Sequence, residues 1–178
     1  MFKAKILLVG PCQAGKSVLA NFLGDQTDIL KSKYRPTVGV RILEFETSTG
    51  NGSDVEIELW DCSGSENYET CWPAMAYQAD GVIIVYDPSN KNPTPSVEAF
   101  YNYFVASKGL KDTQCMIFTN CKGQDMDKIT SPIPSVTAVT TDLEKDHGSI
   151  TDDFKDFLKK VLTKMSAVQE REELDIIN

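Results

Sequence analysis

Histidine is almost missing from this 178-residue chain: His147, in a polar stretch, is its single one. One imidazole excludes histidine-relay catalysis and histidine-built metal clusters. Arginine is nearly as scarce, with only Arg35, Arg41 and Arg171. That leaves no basic lid of the kind that P-loop kinases close over substrate phosphates. Positive charge as a whole is outnumbered, 18 Lys and Arg against 26 Asp and Glu, for a net charge of −8. Nucleic acid and anionic membrane both need a positive patch, so neither is an expected partner. No apolar run reaches the roughly 20 residues of a membrane-spanning helix. The five cysteines are odd in number and contain no C-x-x-C pair. Free thiols in a reducing, cytosolic compartment are therefore expected. The chain opens Met1-Phe2-Lys3-Ala4-Lys5 without a secretory h-region. No cysteine stands near Asn178 to carry a prenyl group, so no direct lipid anchor is expected.

What is present is a phosphate-binding loop. Gly10-Pro11-Cys12-Gln13-Ala14-Gly15-Lys16-Ser17 matches G-x-x-x-x-G-K-[ST]. It lies between an apolar strand pattern, Lys5 to Val9, and a helical pattern, Ser17 to Leu23. The residue types follow from the chemistry. Glycines let successive N–H groups turn inward on a phosphate, and the helix N-terminus adds partial positive charge. Lys16 can bridge the outer phosphates and the Ser17 hydroxyl can ligate magnesium. The expected phosphate-binding set is Cys12, Gln13, Ala14, Gly15, Lys16, Ser17 and Val18.

Strand and helix patterns then alternate, which predicts an α/β layer structure with a mostly parallel sheet. Val40 to Thr47 and Val55 to Trp60 each alternate apolar and polar residues. The turn-rich Ser48 to Ser53 between them predicts a hairpin. Gly81 to Tyr86 and Cys115 to Phe118 read as buried strands. Pro93 opens a helix with Val97, Phe100, Tyr101 and Phe104 on one face. Val136 to Thr140 is a weaker strand. The last helix starts near Ser149 or Thr151, with Phe154, Phe157, Leu158, Val161, Leu162, Met165 and Val168 as its apolar stripe. The expectation is one domain over 1–169 and a frayed tail over 170–178.

Four more segments follow the loop in a fixed order: Tyr34-Arg35-Pro36-Thr37-Val38-Gly39, Trp60-Asp61-Cys62-Ser63-Gly64, Asn120 at a strand end, and Val139-Thr140-Thr141-Asp142. With the loop, they give the chain a resemblance to the Ras superfamily of small GTPases over essentially its whole length. The resemblance implies a P-loop NTPase fold: a six-stranded, mostly parallel sheet flanked by helices. It implies GTP/GDP and Mg2+ as ligands. Tyr34, Pro36 and Thr37 would form switch I, with Ser17, Thr37 and, through water, Asp61 around the metal. The Gly64 N–H would meet the γ-phosphate. Asn120, Lys122 and Thr141 would face the base.

Two departures from the pattern matter. Ser65 stands where the family has a glutamine that orients the attacking water. Serine is too short for that task, so no catalytic residue is assigned and slow or absent hydrolysis is expected. In the base motif N-K-x-D, Cys121 replaces the lysine and Gly123 the aspartate, while Asp125 comes two residues late. Losing hydrogen bonds to a charged group costs about 1.5–3 kcal/mol, so weak binding and reduced guanine preference are expected. Lys122 could still lay its stem along the base.

Gly39 to Glu46, Glu58 to Cys62, Cys71-Trp72-Pro73-Ala74 and Asp112 to Met116 narrow the resemblance. They are similar to the Rab-like branch found in intraflagellar transport complex B. That implies a nucleotide-dependent adaptor for cilium or flagellum assembly, at the cilium and basal body with a cytoplasmic pool. Its implied partners are the coiled-coil heterodimer subunits of the complex B core. Trp72, Pro73 and Met75 are candidate partner contacts, or core. The alternative is a cycling small GTPase in membrane traffic, its hydrolysis activated by a partner.

Overall fold

A computed structural model describes residues 2–24, 35–49, 54–89, 93–123, 129–142 and 148–177. Tyr34, Asp125, His147 and the hairpin turn at 50–53 lie outside them. Among the described residues there are six strands: β1 (Phe2–Val9), β2 (Val40–Ser48), β3 (Asp54–Cys62), β4 (Gly81–Tyr86), β5 (Cys115–Asn120) and β6 (Thr137–Thr141). Four α-helices accompany them there: α1 (Lys16–Leu23), α2 (Trp72–Ala76), α3 (Pro93–Phe104) and α4 (Gly148–Ile177). The sheet order is β2-β3-β1-β4-β5-β6. Only the β2–β3 pair is antiparallel, as the hairpin pattern predicts. The other four pairings are parallel.

The period of two along each central strand explains why their apolar runs are continuous. Ile6 and Leu8 of β1, Ile83 and Val85 of β4, and Met116 and Phe118 of β5 face one core with α1 and α4. Leu7, Val9, Val82, Ile84, Cys115 and Ile117 face the opposite core with α2 and α3. Both faces are covered, so neither set of positions can be polar. The α4 stripe packs as its spacing requires: Phe154, Phe157, Leu158 and Val161 are all buried. Each such side chain contributes about 1.5–3 kcal/mol of burial free energy.

One element goes beyond the sequence reading and one differs from it. Trp72–Ala76 is a short helix, preceded by a 3-10 segment over Glu66–Cys71. Its Trp72 ring lies 4.9–5.4 Å from the rings of Phe100, Tyr103 and Phe104. Trp72 is thus half-buried against α3, Met75 is buried, and Pro73 is exposed. The difference is at the far end. The segment expected to fray continues α4 as helix to Ile177. Packing ends before the helix does, since residues 167–175 are exposed.

The topology places one loop at a special point. β1 is flanked by β3 on one side and β4 on the other. Chain connections therefore leave it in opposite directions, opening a crevice at the carboxyl end of β1. The Gly10–Ser17 loop emerges there.

Candidate nucleotide-binding site

The loop after β1 is held by contacts that need glycine. Gly10 has φ +141°, and a Cβ there would come within 2.0 Å of the Val85 carbonyl oxygen. Gly64, arriving from the end of β3, packs so closely that a Cβ would meet Cys12 N, Gly10 O and Pro11 C at 2.5 Å. The Lys16 ammonium closes the loop from within, donating to the Gly10 carbonyl at 2.9 Å and the Pro11 carbonyl at 2.7 Å. Burial holds the Lys16 pKa below its usual value, and the charge of Asp61 offsets this only in part. A buried cation with only carbonyl partners is a site for an anion.

A cleft of about 380 Å3 opens above this loop. Cys12, Gln13, Ala14, Gly15, Lys16, Ser17 and Val18 line it together with Pro36, Thr37, Ser63, Gly64, Asn120 and Lys122. Thus residues distributed over more than a hundred positions of sequence share one cavity. Two described candidates do not line it: Asp61, fully buried behind Ser17, and Thr141. Thr141 sits at the Asn120 end. It is buried, and it meets this corner through its carbonyl, which accepts the Cys121 N–H at 2.8 Å.

At one end of the cleft three oxygen-bearing side chains converge. The Ser17 hydroxyl donates to Asp61 Oδ2 at 2.7 Å. Thr37 Oγ1 lies 3.0 Å from Ser17 Oγ and 3.4 Å from Asp61 Oδ2. Asp61 is fully buried and its Oδ1 has no hydrogen-bond partner among the described residues. Two hydroxyls and one buried carboxylate with an unused oxygen fit Mg2+, which keeps several waters and takes the rest of its ligands from phosphates. The two switch segments are also tied through the backbone, with Ser63 N–H donating to the Gly39 carbonyl at 2.8 Å.

At the other end stand Asn120 and Lys122. Asn120 Nδ2 donates to the Ala14 carbonyl at 3.2 Å, and its buried Oδ1 has no partner among the described residues. Lys122 donates to the Gln13 carbonyl at 3.1 Å and pairs with Asp87 at 2.8 Å. Burial raises the Asp87 carboxyl, but hydrogen bonds from Lys122 and Ser89 outweigh it and hold its pKa below the usual range.

Ser65 points elsewhere. Its hydroxyl accepts the Asn67 N–H at 3.3 Å and caps the following 3-10 segment. Sequence reasoning missed Asp87, Ser63 and Arg41 at this site. Arg41 Nη2 lies 3.3 Å from Asp61 Oδ2. The signal for it is the hairpin register, which sets Arg41 opposite Asp61.

The comparisons with known proteins agree with this geometry. The model of the Ras family matches residues 5–161. The intraflagellar transport protein 22 homologues of Homo sapiens and Danio rerio are 43% and 39% identical to the chain. Each alignment spans 99% of this chain and 100% of the relative. A GTP-bound crystal structure of T. brucei IFT22/74/81 superposes with a TM-score of 0.78 at 25% identity, covering 94% of this chain and 99% of that one. GTP-bound T. brucei IFT22 gives a TM-score of 0.70 at 25% identity, with 93% and 99% covered. With its G-x-x-x-x-G-K-S loop, the Thr37 and Asp61 segments beside it and its sheet order, this chain belongs to the Ras family of small GTPases, as a homologue of intraflagellar transport protein 22.

Proposed function

We propose that the chain is a Rab-like GTP-binding adaptor of the intraflagellar transport complex B core. It works at the cilium or flagellum and basal body, with a cytoplasmic pool. GTP with Mg2+ occupies the cleft: Cys12 to Val18 and Gly64 hold the phosphates, and Asn120, Lys122 and the Thr141 corner meet the base. Ser17, Thr37 and Asp61 (through water) hold the metal, which screens the phosphate charge when bound. The observation that carries this reading is the convergence of Ser17, Thr37 and Asp61 within hydrogen-bond range of one another. Thr37 is brought there by residues 35–39 just before β2, so a γ-phosphate can hold that segment in place.

Hydrolysis in this reading is slow or absent, because the Ser65 hydroxyl is engaged as a helix cap. The partner is a coiled-coil heterodimer, in keeping with the IFT22/74/81 composition of the T. brucei assembly. Residues 1–169 supply the nucleotide-binding unit, and 170–178 extend from it.

The test is binding of the chain to that coiled coil in GTP–Mg2+ and in GDP, with the Ser17→Asn variant alongside. Tight binding in GTP, lost at least tenfold in S17N, is expected. Equal binding in all states removes nucleotide control. Single-turnover hydrolysis with and without the partner separates an adaptor from a partner-activated cycling GTPase.

A further inference from the structure

Arg41 stands at the metal corner, and nothing in the reading above uses it. It is one of three arginines in the chain. The antiparallel register sets it directly across from Asp61. Its Nη2 lies 3.3 Å from Asp61 Oδ2, the same oxygen that accepts the Ser17 hydroxyl at 2.7 Å. Among the described residues Asp61 has no other ion-pair partner, since the nearby Lys16 ammonium is spent on the Gly10 and Pro11 carbonyls.

The contact is electrostatic rather than a locked fork. Nε and Nη2 of Arg41 are both buried without an aligned hydrogen-bond acceptor among the described residues. The side chain as a whole is 36% exposed while that of Asp61 is 0% exposed. A guanidinium so placed neutralises a buried carboxylate, yet keeps a route to water when something else claims it.

We propose that Arg41 is the resident countercharge of Asp61 and makes triphosphate binding only weakly dependent on Mg2+. The inference rests on the GTP-binding function proposed above. A bare buried carboxylate at this point repels the phosphates, and a divalent ion must cancel it before they bind well. Here one charge is already cancelled from β2. Mg2+ and the guanidinium then compete for the same carboxylate, and by linkage each weakens the other's hold. Arg41 is a positioning residue in this scheme, acting on the metal and phosphates through Asp61.

The experiment is titration of fluorescent mant-GTP into the full chain, in excess MgCl2 and in excess EDTA. It is carried out on the native protein, Arg41→Gln and Arg41→Lys. The reading is the ratio of the two dissociation constants for each protein. A native ratio below about thirtyfold is expected. In R41Q it widens by a further five- to tenfold, in the range of ordinary site–site couplings. R41K, which keeps the charge, returns most of the way to the native ratio.

A native ratio above about thirtyfold overturns the proposal. So does an R41Q protein that binds with an unchanged ratio. Should R41Q fail to fold by circular dichroism, the native ratio and R41K decide. R41K must then stay within about threefold of native, and a wider gap counts against the proposal. If the native protein binds mant-GTP in neither medium, the GTP-binding function itself falls. Binding with the wrong ratios removes Arg41's role alone.

Discussion

The ammonium of Lys122 reaches the carbonyl oxygen of Gln13 at 3.1 Å, across 109 residues of sequence. It does so from a backbone with φ +41°, followed by Gly123 at φ +80°. The left-handed turn lets a lysine two places after Asn120 reach back over the phosphate loop. This end of the cleft thus keeps a cation where the motif N-K-x-D is broken. Lys122→Ala is expected to weaken GTP binding about five- to tenfold by calorimetry. The size is modest because the lysine is 43% exposed and its ion pair is screened. Unchanged affinity would show that the lysine closes the loop without meeting the nucleotide.

The same lysine gives a pH dependence. Asp87 has its pKa held below the ordinary value of 3.8. A depressed carboxylate stabilises the fold above the unfolded-state value, and that contribution disappears as pH falls through the folded-state value. The native protein should therefore lose stability more steeply than Asp87→Asn below about pH 4, and the two should run parallel near neutrality. Urea melts across pH 2.5–7 check this, and identical slopes below pH 4 would refute it.

Gly64→Ala tests the closeness of switch II to the loop. The added methyl would lie 2.5 Å from three atoms of the Gly10–Cys12 backbone. Backbone cannot swing aside as a long side chain can, so the two segments must separate. Overpacking of this kind costs about 1–3 kcal/mol, or a melting temperature lower by roughly 3–10 °C for a chain of this size. GTP affinity should fall with it. Calorimetric scans and titrations of one sample measure both.

Thiol reactivity maps the site from another direction. Burial pushes the Cys62 and Cys115 thiols up to about 12, and the buried Cys121 is raised as well. Cys12 and Cys71 are exposed. At pH 8, iodoacetamide followed by mass spectrometry should find these two labelled first. Saturating GTP should slow Cys12 and leave Cys71 unchanged. Equal slowing of both would point to a global effect rather than a nucleotide seated on the loop.

Much of the fold could be read from sequence, because its signals are local. The phosphate loop is eight adjacent residues, and the central strands announce themselves as β-branched runs bounded by turns. What could not be read depends on distance. No pattern within Trp72–Ala76 marks it as helix, since Pro73 and small residues give it little period, and Trp72 is fixed by α3 instead. The reach of Lys122 to Gln13 needs two loops in place at once. The pairing of Arg41 with Asp61 needs the hairpin register, and one residue of slip would turn Arg41 to the other face. The length of α4 was missed for a different reason. Residues 167–175 are exposed, and helix-favouring residues with pairs such as Gln169–Glu173 at 3.4 Å support the helix there.

The place of β2 at one end of the strand order has a further consequence. Among the described residues no strand pairs with its other side, which leaves a row of amides and carbonyls, the usual template on which sheets stick together. Here that row is guarded by Glu44 and Glu46, which already oppose Glu58 and Glu56 across the hairpin, with Lys3 pairing with Glu44, Glu56 and Glu58. A second copy arriving rim to rim would stack carboxylate on carboxylate. The charge that crowds this hairpin therefore keeps the sheet from growing by self-addition.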